Sequence, residues 1–120
     1  MKLEFISFDK DKNKTSFITD YEIINDQIIF EDKSNINTKI YLKIKDSKID
    51  IRRIGNTKMK MTLDLAKKTE GYYKNDMSLE FEFLCLCHDL LIENNKIKAR
   101  YDMIIDDEVI NTTDLMIIMY

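Results

Sequence analysis

The sequence predicts an all-β domain, a single antiparallel meander of about eight to ten strands that closes into a barrel. Apolar side chains recur at every second position in one segment after another, which is typical of half-buried strands. Short polar turns separate these segments, and no segment carries a sustained helical stripe. The chain has 120 residues, the size of one domain, so we expect residues 1–120 to form a single barrel domain.

The first half of the chain predicts five strands joined by polar turns. The clearest alternation places Ile40, Leu42 and Ile44 on one face and lysines on the other. The dipeptides Asn25-Asp26 and Asp46-Ser47 are typical of tight hairpin turns. The predicted strands are Leu3–Ile6, Ser16–Ile24, Gln27–Glu31, Thr38–Asp46 and Lys48–Ile54.

The second half predicts five more strands and one short helical candidate. Alternation in the third of these strands places Met77 and Leu79 inside with Phe81, Phe83 and the cysteines. A helix over Leu63–Thr69 would be one or two turns long at most. A meander of this many strands closes on itself because twist accumulates and free edges are a liability. The predicted strands are Thr57–Leu65, Tyr72–Lys74, Met77–Cys87, Lys96–Ile105 and Val109–Tyr120.

The charge balance and the apolar runs exclude two kinds of partner. The net charge is −3 with 34% charged residues, which indicates a well-solvated surface and no nucleic-acid partner. No apolar run approaches the roughly 20 residues of a membrane span, so no membrane partner is expected.

The cysteines predict the cellular compartment of the protein, and the amino-acid composition predicts the kind of genome that encodes it. Cys85 and Cys87 are too close along a strand for an ordinary disulfide, and Met1 to Glu4 lack the pattern of a signal peptide. We therefore expect a cytoplasmic protein. Lys, Ile and Asn, whose codons are AT-rich, are abundant, which favours an AT-rich bacterial genome.

From Ile49 onward the sequence resembles the YwiB-like family, a family of unknown function with a calycin-type barrel. The resemblance rests on Ile51-Arg52-Arg53-Ile54-Gly55, on Met59 and Met61, on Thr69-Glu70-Gly71-Tyr72-Tyr73 and on Ala99-Arg100-Tyr101-Asp102. It implies a barrel related in architecture to lipocalins and fatty-acid-binding proteins, but it implies no activity. Where relatives are expected to have a second glycine after the hairpin turn at Tyr73, this chain has Asp76-Met77-Ser78.

Arg53 is the most informative candidate for a binding residue. Strict alternation places it on the inward face with Ile49 and Ile51, where an unpaired charge would be costly. Arg53 either anchors an anionic ligand at the barrel mouth or closes the barrel end structurally through carbonyls or an aromatic ring. Tyr73 and Tyr101 are the expected neighbours, since each offers an apolar ring and a polar tip.

His88, the only histidine, is the remaining candidate ligand-binding residue. It follows Cys85 and Cys87, but the strand phase puts it on the opposite face, so no metal site is predicted. It could also act as a general base oriented by Asp89, or simply end a strand. The sequence contains no phosphate loop or nucleophile elbow, so we assign no catalytic residue and no cofactor.

Three weaker patterns have both a structural and a chemical interpretation. The Asp9-x-Asp11-x-Asn13 run has lysine where a calcium loop needs glycine, which favours a solvated turn. The acidic pair Glu80 and Glu82 would need burial to catalyse hydrolysis. The seven methionines could line an adaptable cavity or fill a core.

The sequence supports two hypotheses about function, one as a ligand-binding protein and one as a structural protein. The leading hypothesis is a binding module that holds a small, partly apolar or anionic ligand at the barrel mouth. The alternative is a structural protein acting as a homodimer, because the last strand, Leu115–Tyr120, is apolar on both faces.

Overall fold

The structure, a computed structural model, describes all residues from Met1 to Tyr120 and consists of strands joined by turns and loops. None of its elements is a helix with the length and apolarity needed to cross a membrane. The ten strands are β1 (Lys2–Phe8), β2 (Lys14–Ile24), β3 (Gln27–Glu31), β4 (Lys39–Lys45), β5 (Lys48–Ile54), β6 (Lys58–Leu63), β7 (Thr69–Lys74), β8 (Glu80–Ile92), β9 (Lys96–Ile105) and β10 (Glu108–Met119).

The strands form a closed antiparallel barrel in which each strand pairs with its neighbours in the sequence. The closure is made by β1, which pairs with β2 on one side and β10 on the other. Phe5 thus lies opposite both Phe17 and Ile117. Closure removes the free sheet edges that a ten-stranded meander would expose. The predicted all-β, calycin-like barrel is confirmed.

Three hairpin turns have the backbone conformation that their residues favour. Both residues of Asn25-Asp26, Asp46-Ser47 and Asp106-Asp107 have φ between 51° and 64°. Two consecutive positive φ angles are the mark of a type I′ turn, whose twist matches that of the flanking strands. Asn and Asp tolerate this conformation better than other non-glycine residues, so these turns fix the register of their hairpins.

The interior is divided into two halves along the barrel axis. We call the end that carries the chain termini the lower end and the end that carries the 9–13, 32–38 and 55–57 loops the upper end. The lower half is filled by fully buried aliphatic side chains at the lower ends of their strands, namely Leu3, Ile49, Leu63 and Ile97. The upper half contains the cavity described below.

The helical candidate over Leu63–Thr69 does not form a helix. Strand β6 ends at Leu63, and the Oδ1 atom of Asp64 accepts a hydrogen bond of 2.9 Å from the backbone N–H of Ala66. This side-chain turn replaces the first turn of a helix, and β7 begins at Thr69. The segment is too short to repay helix nucleation.

The expectation that Met77 and Leu79 lie inside is wrong, because β8 begins only at Glu80. The Asn75 side chain accepts hydrogen bonds from the backbone N–H groups of both residues, and Met77 is 84% exposed. Ser78 has a φ of 68°, the conformation that glycine prefers. The turn is therefore kept although the expected second glycine is absent.

A β-bulge at His88 changes the phase of β8. Cys87 pairs with Tyr101 and Asp89 pairs with Arg100, so His88 is the extra residue. The extra residue lets odd-numbered Cys87 and even-numbered Leu90 both face the interior. Simple alternation could not predict this shift.

Candidate ligand-binding cavity

The upper half of the barrel is hollow. It holds a cavity of about 410 Å³ that is open at the upper end. The cavity is within the usual size range of small-molecule sites, about 300–1,000 Å³.

The cavity has an apolar floor made by inward side chains from β1 and β10 on one side of the barrel and from β4, β5 and β6 on the other. Two of its aromatic neighbours stack on each other, since the rings of Phe5 and Phe17 lie 4.9 Å apart between centroids. Met59 and Met61 face inward from β6, as the alternation predicts. The floor residues are Phe5, Ile40, Leu42, Ile51, Met59, Met61, Leu115 and Ile117.

The rim of the cavity is polar and mostly uncharged. Hydroxyl and amide side chains come from the upper ends of the strands and from two loops, 9–13 and 32–38. The first loop is tied to β10 by a 3.1 Å hydrogen bond from the Lys10 backbone N–H to the Asn111 side chain. The rim residues are Ser7, Asp9, Asn13, Thr15, Ser34, Asn35, Asn111 and Thr113.

Arg53 faces the cavity from the upper end of β5, as predicted. It shares the inward face with Ile51 and lies opposite Ile40 and Met59 on the neighbouring strands. Its Nε atom lies 3.5 Å from Oδ2 of Asp32. This ion pair is asymmetric in exposure, since the Arg53 side chain is 25% exposed and the Asp32 side chain 0%.

Asp32 is held by its own loop. Its Oδ1 atom accepts hydrogen bonds from the backbone N–H of Ser34 at 3.0 Å and from the Ser34 hydroxyl. Its Oδ2 atom accepts one from the Asn35 amide at 2.9 Å. These donors satisfy a buried carboxylate without the help of Arg53. Asp32 is therefore the counter-ion of Arg53, and its inaccessible side chain is not exposed to the cavity.

Both predicted tyrosines line the same cavity. Tyr101 lies on β9 opposite Thr113, and its burial raises the pKa of the phenol, although Arg53 and a hydrogen bond from Thr113 act in the opposite direction. Tyr73 stacks on Phe81 with 5.0 Å between ring centroids. The structure thus brings Arg53, Tyr73 and Tyr101 together around one space.

His88 is not part of this cavity. Its Nε2 atom lies 2.7 Å from Oδ2 of Asp102, on the outer face of the barrel. The partner that orients it is Asp102 and not the predicted Asp89, because the bulge turns His88 towards β9. Burial alone would raise the pKa of Asp102, but hydrogen bonds from His88 and Thr112 outweigh it and hold that pKa below its usual value.

The other candidate reactive side chains are two cysteines with raised pKa values and two carboxylates that contact neighbouring groups. Burial raises the pKa of the Cys85 thiol to about 12 and also raises that of Cys87. The Asp9 carboxylate accepts hydrogen bonds from the backbone N–H groups of Asp11 and Asn13, which makes the 9–13 segment a turn. Glu80 is exposed and lies 3.6 Å from the Lys74 ammonium.

A family model described as "Domain of unknown function (DUF1934)" matches residues 3–117. The chain belongs to this family. Its fold is also that of a solved structure, the YwiB protein from Bacillus subtilis, with a TM-score of 0.68 and 18% identity over 97% of this chain and 87% of that one. No curated protein matches the chain. The predicted family resemblance is confirmed, and it extends over the first strands as well.

In this DUF1934 domain, sequence reasoning missed the residues that complete the site. Asp32 is one of them, since its buried side chain lies against the inward Arg53. Its only signal was the run Asp32-x-Ser34-Asn35, in which an aspartate precedes two residues that can donate to it. Asn111 and Thr113 share the inward phase of Leu115 and Ile117 on β10, so alternation was the signal that could have found them.

Proposed function

We propose that this DUF1934 barrel is a binding protein that holds a small, partly apolar molecule in its upper cavity. The observation that carries the proposal is the hollow upper half, with its apolar floor and polar rim, above a lower half of fully buried aliphatic side chains. Such a cavity buries an apolar body on the floor and leaves polar groups at the rim to orient the ligand. Three of the residues predicted from sequence, Arg53, Tyr73 and Tyr101, supply part of that orienting wall.

The test uses the uncharged fluorophore N-phenyl-1-naphthylamine, whose emission rises when it leaves water. Met61→Trp would fill the floor, since Met61 is buried and faces the cavity. Lys60→Trp adds the same ring on the outer face of the same strand and serves as the control. We expect the wild-type chain and the Lys60 variant to bind the probe alike. The Met61 variant should bind it at least about tenfold more weakly.

Two results would contradict the proposal. One is the absence of probe binding by the wild-type chain. The other is equal binding by the Met61 and Lys60 variants, which would place the probe outside the barrel. Circular dichroism on each variant establishes that the barrel is folded before binding is compared.

A homodimer is the second candidate function, supported by the outer face of β1 and β10. Ile6 and Met116 lie opposite each other on that face, and Ile18 on the next strand is 56% exposed. Apolar side chains grouped in this way favour contact with another protein surface. Sedimentation velocity over a range of concentrations tests it: a dimer that Met116→Lys dissociates is expected, and a monomer throughout would remove this candidate.

We also propose that the protein works in the cytoplasm of a bacterial cell. The two buried thiols remain unpaired, which suits a reducing compartment. The structural relative comes from a bacterium. Fractionation of cells that express the full-length protein tests this, and recovery of the protein outside the cytoplasmic fraction would contradict it.

A further inference from the structure

The guanidinium of Arg53 has donors that no protein atom uses. An arginine side chain carries five N–H donors in a planar fork and stays protonated at all physiological pH values. The Nε atom is buried and has no hydrogen-bond partner, since its approach to Asp32 is a charge contact and not a hydrogen bond. The terminal nitrogens of Arg53 likewise make no hydrogen bond with the protein, whereas Arg52 donates to Gln27 at 3.0 Å.

The counter-ion approaches Nε of Arg53, and no hydrogen bond links it to the terminal nitrogens. Both carboxylate oxygens of Asp32 already accept hydrogen bonds from Ser34 or Asn35 within the same loop. The Asp32 side chain is inaccessible, while a quarter of the Arg53 side chain is accessible. A molecule in the cavity therefore touches the positive member of the pair and not the negative one.

The other groups around the cavity do not compete for Arg53. Asp9 is the second acidic residue at the rim, and its carboxylate is engaged by the backbone of Asp11 and Asn13 within its own turn. The rest of the rim consists of hydroxyl and amide side chains together with the phenols of Tyr73 and Tyr101. The only charge inside the cavity with unused hydrogen-bonding capacity is thus a cation.

We infer that the ligand of this cavity is an amphiphile whose oxyanion, such as a carboxylate or a sulfonate, accepts the free terminal N–H groups of Arg53 while its apolar body lies on the floor. The inference rests on the proposed function and narrows it to one chemical class. Hydrogen bonds in which both partners are charged are about twice as strong as neutral ones, and two oxygens of such an anion match the guanidinium fork. Tyr101, directly across from Thr113 on the cavity wall, is placed to donate to the same group.

The test compares two probes that differ in one group. The anion 8-anilinonaphthalene-1-sulfonate has the skeleton of the neutral N-phenyl-1-naphthylamine with a sulfonate added. Arg53→Gln removes the charge inside the cavity. Arg52→Gln removes the same charge from the neighbouring outward residue, which stacks over Tyr41 at 5.3 Å and does not line the cavity.

We expect Arg53→Gln to weaken binding of the anionic probe by about 10- to 100-fold. Binding of the neutral probe should stay within about threefold of that of the wild-type chain. Arg52→Gln should change the binding of neither probe by more than about threefold. Any long-range effect of the lost surface charge should disappear when added salt screens it. Because the neutral probe reports on the cavity itself, its binding shows that the variant barrel is intact.

The outcomes separate this inference from the function on which it rests. If the wild-type chain binds both probes and Arg53→Gln weakens both alike or neither, the oxyanion site is overturned and the binding function stands. If neither probe binds the wild-type chain, both are overturned. Should Arg53→Gln fail to fold because Asp32 is left without a counter-charge, the double variant Asp32→Asn/Arg53→Gln decides the question, since it buries no lone carboxylate.

Discussion

Replacing Gly55 by alanine tests how closely the upper loops are fitted to the barrel. Gly55 follows the last residue of β5, two positions after Arg53. A Cβ atom there would lie 1.9 Å from the backbone oxygen of Asn37 and 2.6 Å from the Cα of Thr38. Its φ of 153° also lies in a region that side-chain-bearing residues rarely adopt. The substitution therefore creates both a clash and backbone strain.

The expected loss in the free energy of unfolding is the sum of the backbone strain and the clash. A backbone conformation reserved for glycine costs about 1–3 kcal/mol in a residue with a Cβ. The added methyl group costs about another 1–3 kcal/mol by overpacking, because the atoms it meets are backbone and cannot rotate away. We expect a loss of about 3 kcal/mol in the free energy of unfolding. For a chain of this size that is a fall of roughly 12 °C in the melting temperature.

Gly71→Ala is the matched comparison. A Cβ at Gly71 would meet Phe83 at 2.4 Å, but the atoms it meets are at the far edge of a ring, and the backbone of Gly71 is not in a positive-φ conformation. Its loss should be smaller, about 1 kcal/mol. Urea unfolding followed by circular dichroism measures both variants under the same conditions.

The reasoning is refuted if Gly55→Ala costs less than Gly71→Ala, or less than about 1 kcal/mol. Either result would mean that the 32–38 loop does not lie against the end of β5 as described. The hydrogen bond from the Thr57 backbone N–H to the Thr38 hydroxyl, at 3.4 Å, would then also be in question.

Three further predictions concern a turn, an outer ion pair and the thiols. Ser78→Gly should raise the free energy of unfolding by about 0.5–1 kcal/mol, because Ser78 has a φ of 68°; an unchanged urea midpoint would contradict this. The lowered pKa of Asp102 means that its carboxylate stabilises the fold above the unfolded pKa of about 3.9, and that this stabilisation is lost as the pH falls through the folded pKa. Asp102→Asn should therefore destabilise the protein at pH 6, and in urea titrations this loss should shrink progressively as the pH is lowered below about 3.9. A loss that stays constant over that range would show that the charge is irrelevant. Cys85, with its pKa raised to about 12, should resist an aromatic disulfide reagent at pH 8 until urea unfolds the chain; rapid reaction of the native protein would show that the thiol is accessible.

The parts of the fold that follow from local patterns could be predicted. Strands β3, β5 and β9 have the predicted bounds, because each is flanked by turn residues and alternates without interruption. The inward position of Arg53 followed from the same alternation. These predictions depend only on a two-residue period and on turn chemistry, both of which are read within a few neighbouring positions.

The parts that depend on distant contacts could not be predicted. The bulge at His88 is set by how β8 pairs with β9, and alternation along β8 alone gives no sign of it. The burial of Asp32 depends on a loop folding back over β5, where it meets Arg53 21 positions further along the chain. Whether the upper half is hollow depends on how side chains from all ten strands fill one space, and no local pattern reports a summed volume.

The contrast between the two halves of the interior indicates why the cavity is there. The same ten strands bound both halves, so the barrel radius does not impose a void at one end only. The lower half is filled by leucine and isoleucine, which shows that this chain closes its interior where large aliphatic residues face inward. At the rim of the upper half the inward positions carry serine, threonine, asparagine and one arginine with a buried N–H that has no acceptor. Unfilled volume and an unsatisfied polar group both cost stability, and natural sequences keep such costs mainly at functional sites. A ligand that fills the space would remove the cost of the unfilled volume, and its anionic group could accept from the terminal N–H groups of Arg53.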